Sequence, residues 1–412
     1  MKKKSWLAGL VLVLFIAGIT IGIWRLYFRK PDFDKVGGTI LVYEIDKGND
    51  GQAAGADLTA MMAQALERRL DFACVKALDN GRVEIRIPRR GEIHAQDVQR
   101  VKSLATMAGQ LEFRILANSS VDEKAMDDAW EMLNKRVETD AALRRELKEM
   151  QDRGSPPPPP QLIGTKEPMV YEISMPNAQR CQVTYSWVEL GEHEREILGL
   201  YEGGKENPAA EKTWQRMKKN CGTAFWLKDP FSRSGRFLLN GALFYSRVCS
   251  DRNLKDDDRK KKAIDFFVLV RDRELDQNLP ADLPLQKRRT PKIDGSYLTS
   301  ACPEKWDDSL FPNRWRLDLT FNPTGTELFR LLTRQNAPSD PQKVLNHLAI
   351  LLDDQILSAP TINSEIQGGR GMIDGRFTEH EMKNLAIVLN SGPLPARFNP
   401  VPVSETTVQP RE

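Results

Sequence analysis

The sequence predicts an α+β protein in which one N-terminal transmembrane helix precedes a βαββαβ base, and a second α+β subdomain is inserted into that base. Three observations carry this. Trp6 to Trp24 runs WLAGLVLVLFIAGITIGIW without an ionisable side chain. Residues 39 to 116 switch between strand and helix periodicity in the order strand, helix, strand, strand, helix, strand. A weakly patterned stretch, 165 to 310, separates them from a second regular block starting at Trp315.

At a 1.5 Å rise, roughly 19 residues reach about 28 Å, close to the hydrocarbon thickness of a bilayer. Trp6 and Trp24 suit the two interfaces. A secretory signal shares the order of Lys2 to Lys4 and an apolar core, but Trp24-Arg25-Leu26-Tyr27 lacks the small-residue cleavage pattern, so the segment reads as an uncleaved anchor. Lysines before it and Arg25, Arg29 and Lys30 after it nearly balance. Charge alone leaves the orientation open.

The first block opens with a strand from Thr39 to Ile45. A helix follows from Asp57, with Leu58, Met61, Met62, Ala65, Leu66 and Leu70 on one face. Asp79-Asn80-Gly81 turns a hairpin into Val83-Glu84-Ile85-Arg86-Ile87. A helix bearing Val98, Val101, Leu104, Ala105 and Ala108 leads to the strand Gln110 to Leu116. That order is the split βαβ of ferredoxin-like domains.

Ser120 and Glu123 form a capping box for a charged helix to Met150, and Pro156 to Pro160 read as a stiff polyproline spacer. Short strands follow at Tyr185 to Val188, Phe225 to Leu227 and Phe266 to Val270. The second block has a strand Trp315 to Phe321, then a helix capped by Asn322 with Pro323 at its first position. Leu348 to Leu352 and Ile356 to Ala359 make a hairpin around Asp353-Asp354-Gln355. After the strand Met372 to Asp374, Thr378 and Glu381 box a helix that ends at Gly392-Pro393.

The chain has 412 residues, 40% hydrophobic and 28% charged, enough for one large or two modest cores. Net charge is +3, which gives no footprint for nucleic acid. Cys74, Cys181, Cys221, Cys249 and Cys302 have no metal-ligand spacing, and His193-Glu194 and His380-Glu381 lack a second histidine, so no metal site follows. Pairing among the last four cysteines and five unpaired thiols both stay open. Asp353-Asp354 reads as a turn rather than an acid and base pair. The Gly368 to Gly371 loop lacks the G-K-[ST] ending of a phosphate loop and reads as a tight turn. No catalytic or cofactor-binding residue is expected, and the chain does not read as an enzyme.

Several collinear stretches resemble the first extracytoplasmic domain of SecD, the accessory subunit of the bacterial Sec translocase. Gly37-Gly38-Thr39-Ile40-Leu41-Val42-Tyr43-Glu44-Ile45-Asp46 resembles the family's G-G-x-x-L-x-x-E-V-D strand. Leu111-Glu112-Phe113-Arg114-Ile115-Leu116 is similar to L-E-F-R-L-V, and Phe321-Asn322-Pro323-Thr324-Gly325 to F-N-P-E-G. Leu348 to Pro360, with Ser358-Ala359-Pro360, and then Gly368, Gly369, Gly375 and Phe377, resemble L-A-I-x-L-D-x-x-x-x-S-A-P and I-x-G-G-x-x-x-I-x-G-x-F. Ala386 to Pro395, with Gly392, resembles L-A-x-x-L-x-x-G-x-L-P-A.

The resemblance implies a periplasmic ferredoxin-like base, formed by the first βαββαβ unit plus the last helix and strand, with a head inserted between. The expected segments are a cytoplasmic tip and transmembrane helix (1–30), the first part of the base (31–118), a charged helix and polyproline linker (119–164), the head (165–377) and a return to the base with a C-terminal tail (378–412). It implies a single-pass inner-membrane subunit that assists export of unfolded polypeptides, with the Sec translocon and SecF-like subunits as partners. A stand-alone envelope module that binds polypeptides or organises a complex is the alternative. Family members continue into further membrane helices that couple to protons. This chain's apolar segment has no titratable group to serve that purpose.

Overall fold

The computed structural model describes residues 32–46, 55–119, 121–139, 169–174, 180–198, 224–226, 242–248, 264–271, 292–308, 311–338, 345–375 and 377–410. Trp6 to Trp24, Ser120, the second half of the charged helix and Pro156 to Pro160 lie outside them. Among the described residues no helix is long and apolar enough to cross a membrane. The secondary structure is mixed α+β, in two units: residues 1–108 with 394–412, and residues 109–393.

In the first unit the strand Gly38–Glu44 is flanked by Ser404–Val408 and Arg82–Pro88, and Cys74–Leu78 pairs outside the latter. All three pairings are antiparallel. Alternation decides which face is covered: Leu41, Tyr43, Val83, Ile85 and Ile87 are buried, while Val42, Glu84 and Arg86 between them are half-buried. The helices Ala56–Arg69 and His94–Thr106 contribute Met62, Leu66, Val101 and Leu104 to the buried set. Each such side chain adds about 1.5–3 kcal/mol. Asn80 and Gly81 adopt φ of 61° and 71°, the primed turn that the right-handed strand twist requires. Buried Arg69 ties the two helices by donating to the carbonyls of Leu104 (3.0 Å), Met107 and Ala108.

Two expectations are corrected. The strand Leu111–Leu116 and the helix Glu379–Ser391 lie in the second unit, not in the base. Leu111, Phe113 and Ile115 share a core with Leu348 and Ile350, and the whole strand is paired to Leu348–Leu352. Met382, Leu385, Ala386 and Leu389 of the helix join Leu317, Leu319 and Ile373 in the same core. From the far end of the chain the first unit receives Ser404–Val408, a polar strand.

In the second unit Leu111–Leu116 pairs with Leu348–Leu352 along its length and with Ile264–Arg271 at its end. Leu348–Leu352 turns through Asp353 and Asp354, both at positive φ, into Gln355–Ser358. The latter runs parallel to the end of Arg180–Leu190, which pairs with Ile264–Arg271. These pairings close a ring of strands. Inside this unit Asp122 accepts from the Tyr185 hydroxyl (2.7 Å) and from Asn118 N (3.0 Å), and its second oxygen lies 3.3 Å from Arg271 Nε. A separate sheet, Leu298–Asp308, Phe311–Phe321 and Arg370–Ile373, is antiparallel throughout.

Candidate functional site

An open cleft of about 580 Å³ lies in the second unit. Its walls come from the segments that carry the sequence motifs. Phe113 projects from Leu111–Leu116, Phe329 from the helix Pro323–Asn336, and Arg370 to Met372 from the short strand; Pro360 begins the strap that closes the far side. Phe113 and Phe329 form the aromatic floor, and Phe321 packs against both from outside the lining, with ring centroids 5.5 Å apart for Phe113–Phe321 and Phe113–Phe329 and 4.9 Å for Phe321–Phe329. Edge-to-face geometry in the first two pairs adds about 0.5–1.5 kcal/mol each beyond burial.

Local sequence explains how the floor is held. Asn322 caps the helix by accepting from Gly325 N at 2.8 Å, and Pro323 fills the first turn, where its missing N–H costs nothing. Gly325 is required by closeness: a Cβ there would stand 2.6 Å from Tyr297 Cβ. Phe321 N donates to Gly369 O (2.9 Å), so the glycine loop fixes the end of the sheet. The strap is fastened by Thr333 Oγ1, which accepts from Ile366 N (2.9 Å), and by Arg330, which bonds Glu327 and Glu365. Those guanidinium bonds hold both carboxyls below the usual range.

Charges on the rim are balanced. Arg316 pairs with Glu304 and, at 3.1 Å, with Asp318. The Arg316 hydrogen bond lowers the Glu304 carboxyl, whereas burial, followed by its hydrogen bond with Glu304, raises that of Asp318. His347, beneath the strap, is lowered by burial and bonds Ala359 O at 3.2 Å.

The remaining motif residues do not converge on the floor. Glu112 and Arg114 face away from it and pair at 2.6 Å, with Arg114 also donating to Ser186 Oγ. Ser358 Oγ donates to Asp374 O (3.2 Å), Ala359 N to buried Glu194 (3.0 Å), and Pro360 O accepts from Leu348 N (2.8 Å). Gly368 has open space where a side chain would be, Gly375 packs on Phe377, and the Phe377 ring lies 3.9 Å from that of His193. Gly392 ends the last helix. Gly37, Gly38 and the exposed Pro395 belong to the first unit. There Gly37 (φ 66°) and Gly38 (φ 152°) run so close to neighbouring strands that a Cβ would meet Val408 O at 2.4 Å and Ile87 O at 2.0 Å.

Sequence patterning missed the strands Leu298–Asp308 and Ser404–Val408, and with them one side of each sheet. Cys74 and Cys302 are free, exposed thiols. Among the described residues no cluster of His, Cys, Asp and Glu is set to hold a metal.

Residues 272–396 match the family described as SecDF, P1 head subdomain, which runs past the expected head boundary at 377 and includes the last helix. Protein translocase subunit SecD of Calditerrivibrio nitroreducens is 24% identical over 96% of this chain, and the chain spans 64% of that relative's length. SecD of Rickettsia bellii is 45% identical over 80 residues, 19% of this chain and 14% of the relative. A crystal structure of SecDF in a super-membrane-facing form aligns with 96% of this chain and 35% of its own, at 16% identity and a TM-score of 0.42. The chain is thus similar to SecD over nearly its whole length, and its residues 272–396 match the SecDF P1 head subdomain.

Proposed function

We propose that this chain is a SecD-like accessory subunit of the Sec translocase that assists export of unfolded polypeptides. Its large domain lies on the periplasmic side of the inner membrane, behind the single anchor Trp6 to Trp24. The translocon and SecF-like subunits are its partners. The observation that carries this reading is the match of residues 272–396 to the SecDF head, because those residues supply most of the cleft walls. An unfolded chain exposes apolar side chains and unpaired peptide groups, and a surface that holds both hinders its return. The cleft offers an aromatic floor and a rim neutral in sum.

The first unit supports a ferredoxin-like base. Its sheet order, with Ser404–Val408 as the fourth strand, places the third strand between the first two, as a split βαβ requires. The head is read as residues 109–393, and residues 32–108 with 394–410 as the base. The motif residues are read as structural, with no catalytic role.

Affinity capture of the full chain from membranes tests the function. Sec components are expected to be enriched, and export of a reporter is expected to slow when the chain is depleted. Absence of both effects would leave the stand-alone envelope module as the better reading.

A further inference from the structure

The two edges of the sheet Leu298–Asp308, Phe311–Phe321 and Arg370–Ile373 are treated differently. On Leu298–Asp308, the side chain of Asn390 occupies the edge at Ala301, donating to its carbonyl (2.7 Å) and accepting from its N–H (2.8 Å). On the opposite edge, the direction of each peptide group follows from the pairing. Phe321 N donates to Gly369 O, and residues of an antiparallel strand alternate in the side they address. Gly369, Gly371 and Ile373 therefore face Phe311–Phe321, while Arg370 and Met372 turn their N–H and C=O outward. Asp374 obeys the same alternation, since its carbonyl is met by Ser358 Oγ. No described strand pairs with the Arg370 and Met372 edge.

The cleft lies along this edge. Its lining includes Leu319 and Gly371 from one face of the sheet and Asp318, Thr320 and Met372 from the other, and a single cleft reaches both faces only around the open side of the last strand. Gly371 has no side chain there, and the rings of Phe321 and Phe329 lie 3.5 and 3.7 Å from where its Cβ would be.

We infer that an extended polypeptide segment adds to Arg370–Ile373 as a fourth strand and places alternate apolar side chains in the cleft over Phe113 and Phe329. This rests on the proposal that the chain handles unfolded polypeptide and specifies how. The outward peptide groups of Arg370 and Met372 match an extended backbone, whatever its sequence, while the cleft selects side chains at every second position. Arg316 and Arg370 stand against Glu304 and Asp318, so neither sign of charge on the segment is repelled. A second copy is a poorer occupant. Its own Arg370–Ile373 would present Gly371 toward the cleft and leave the cleft unfilled.

The test uses the full chain in detergent and a fluorescent seven-residue probe alternating leucine or valine with threonine. N-methylation of the probe amides in one alternating phase is expected to weaken binding about tenfold or more, and in the other phase to leave it unchanged, because only one phase faces the protein strand. Met372→Pro, which deletes an outward N–H without touching the ladder to Phe311–Phe321, is expected to weaken the unmodified probe similarly, with Met372→Ala near wild type. The methylation series needs no variant, so misfolding cannot mask the answer. Equal tolerance of both phases overturns strand addition and leaves polypeptide binding standing. No probe binding by a preparation that still captures Sec components overturns the inference and leaves the export role standing. A dimer dissolved by Met372→Pro, with no probe binding, would make the second copy the occupant.

Discussion

Asn390 takes both backbone groups of Ala301, acting as a one-residue surrogate strand on the edge of the three-stranded sheet. Removing the amide leaves an N–H and a C=O unpaired against a helix, at a cost of about 1–3 kcal/mol. Asn390→Ala is therefore expected to lower the unfolding free energy by that amount, read as a lower urea midpoint with little change in slope. Asn390→Asp keeps the acceptor and loses the donor, and is expected to fall between. An unchanged midpoint for Asn390→Ala would show that the edge is satisfied by other means.

Asp122 sits at the meeting point of the Tyr185 hydroxyl, the Asn118 amide and the Arg271 guanidinium, all buried. Truncating one member of a buried ion pair costs about 3–5 kcal/mol, because the remaining charge is left uncompensated. Asp122→Ala is expected to destabilise the second unit on that scale in thermal unfolding. A loss under 1 kcal/mol would mean that water reaches Arg271.

Tyr43 gives a pH prediction for the first unit. Its hydroxyl is buried without a hydrogen-bond partner among the described residues, and burial, aided by the Glu405 charge, pushes its pKa up to about 12. The raised folded value means that the native state keeps its proton while the unfolded chain begins to lose it near 10. This contribution to stability is fully present below about pH 10 and is lost as pH rises toward 12. Tyr43→Phe is expected to flatten that alkaline decline and to leave neutral-pH stability equal or higher, since no bond is lost. A steep alkaline decline that persists in the variant would assign it to other groups.

Truncation after Pro400 tests the corrected architecture. It removes Ser404–Val408, and hydrogen exchange at the amides of Gly38–Val42 that pair with it is expected to quicken roughly tenfold or more. Unaltered exchange along Gly38–Val42 would deny that pairing.

Local features were legible because they are written in neighbouring residues. The Asn322-Pro323 start, the Thr378 and Glu381 box, the Asn80-Gly81 turn and the Asp353-Asp354 turn all have the geometry their side chains dictate. Partner choice was not legible in the same way. Leu111 to Leu116 is apolar enough to serve either sheet, and nothing in its alternation says that Leu348–Leu352 will take it. Ser404-Glu405-Thr406-Thr407-Val408 has no apolar alternation at all, since it sits at a sheet edge with its side chains largely in water. The cleft was foreshadowed by the motif residue Phe113, but its meeting with Phe329 is a property of the second unit's packing.

The pairing of Gly38 with Val408 has a mechanical consequence. Because the two strands are antiparallel, Gly38 and Val408 stand at the same end of one ladder. Tension between residues just before Gly38 and just after Val408 would load that ladder from its tip, breaking its bonds in succession like a zip rather than all at once in shear. Gly37 stands at the first tooth, where a Cβ would lie 2.4 Å from Val408 O.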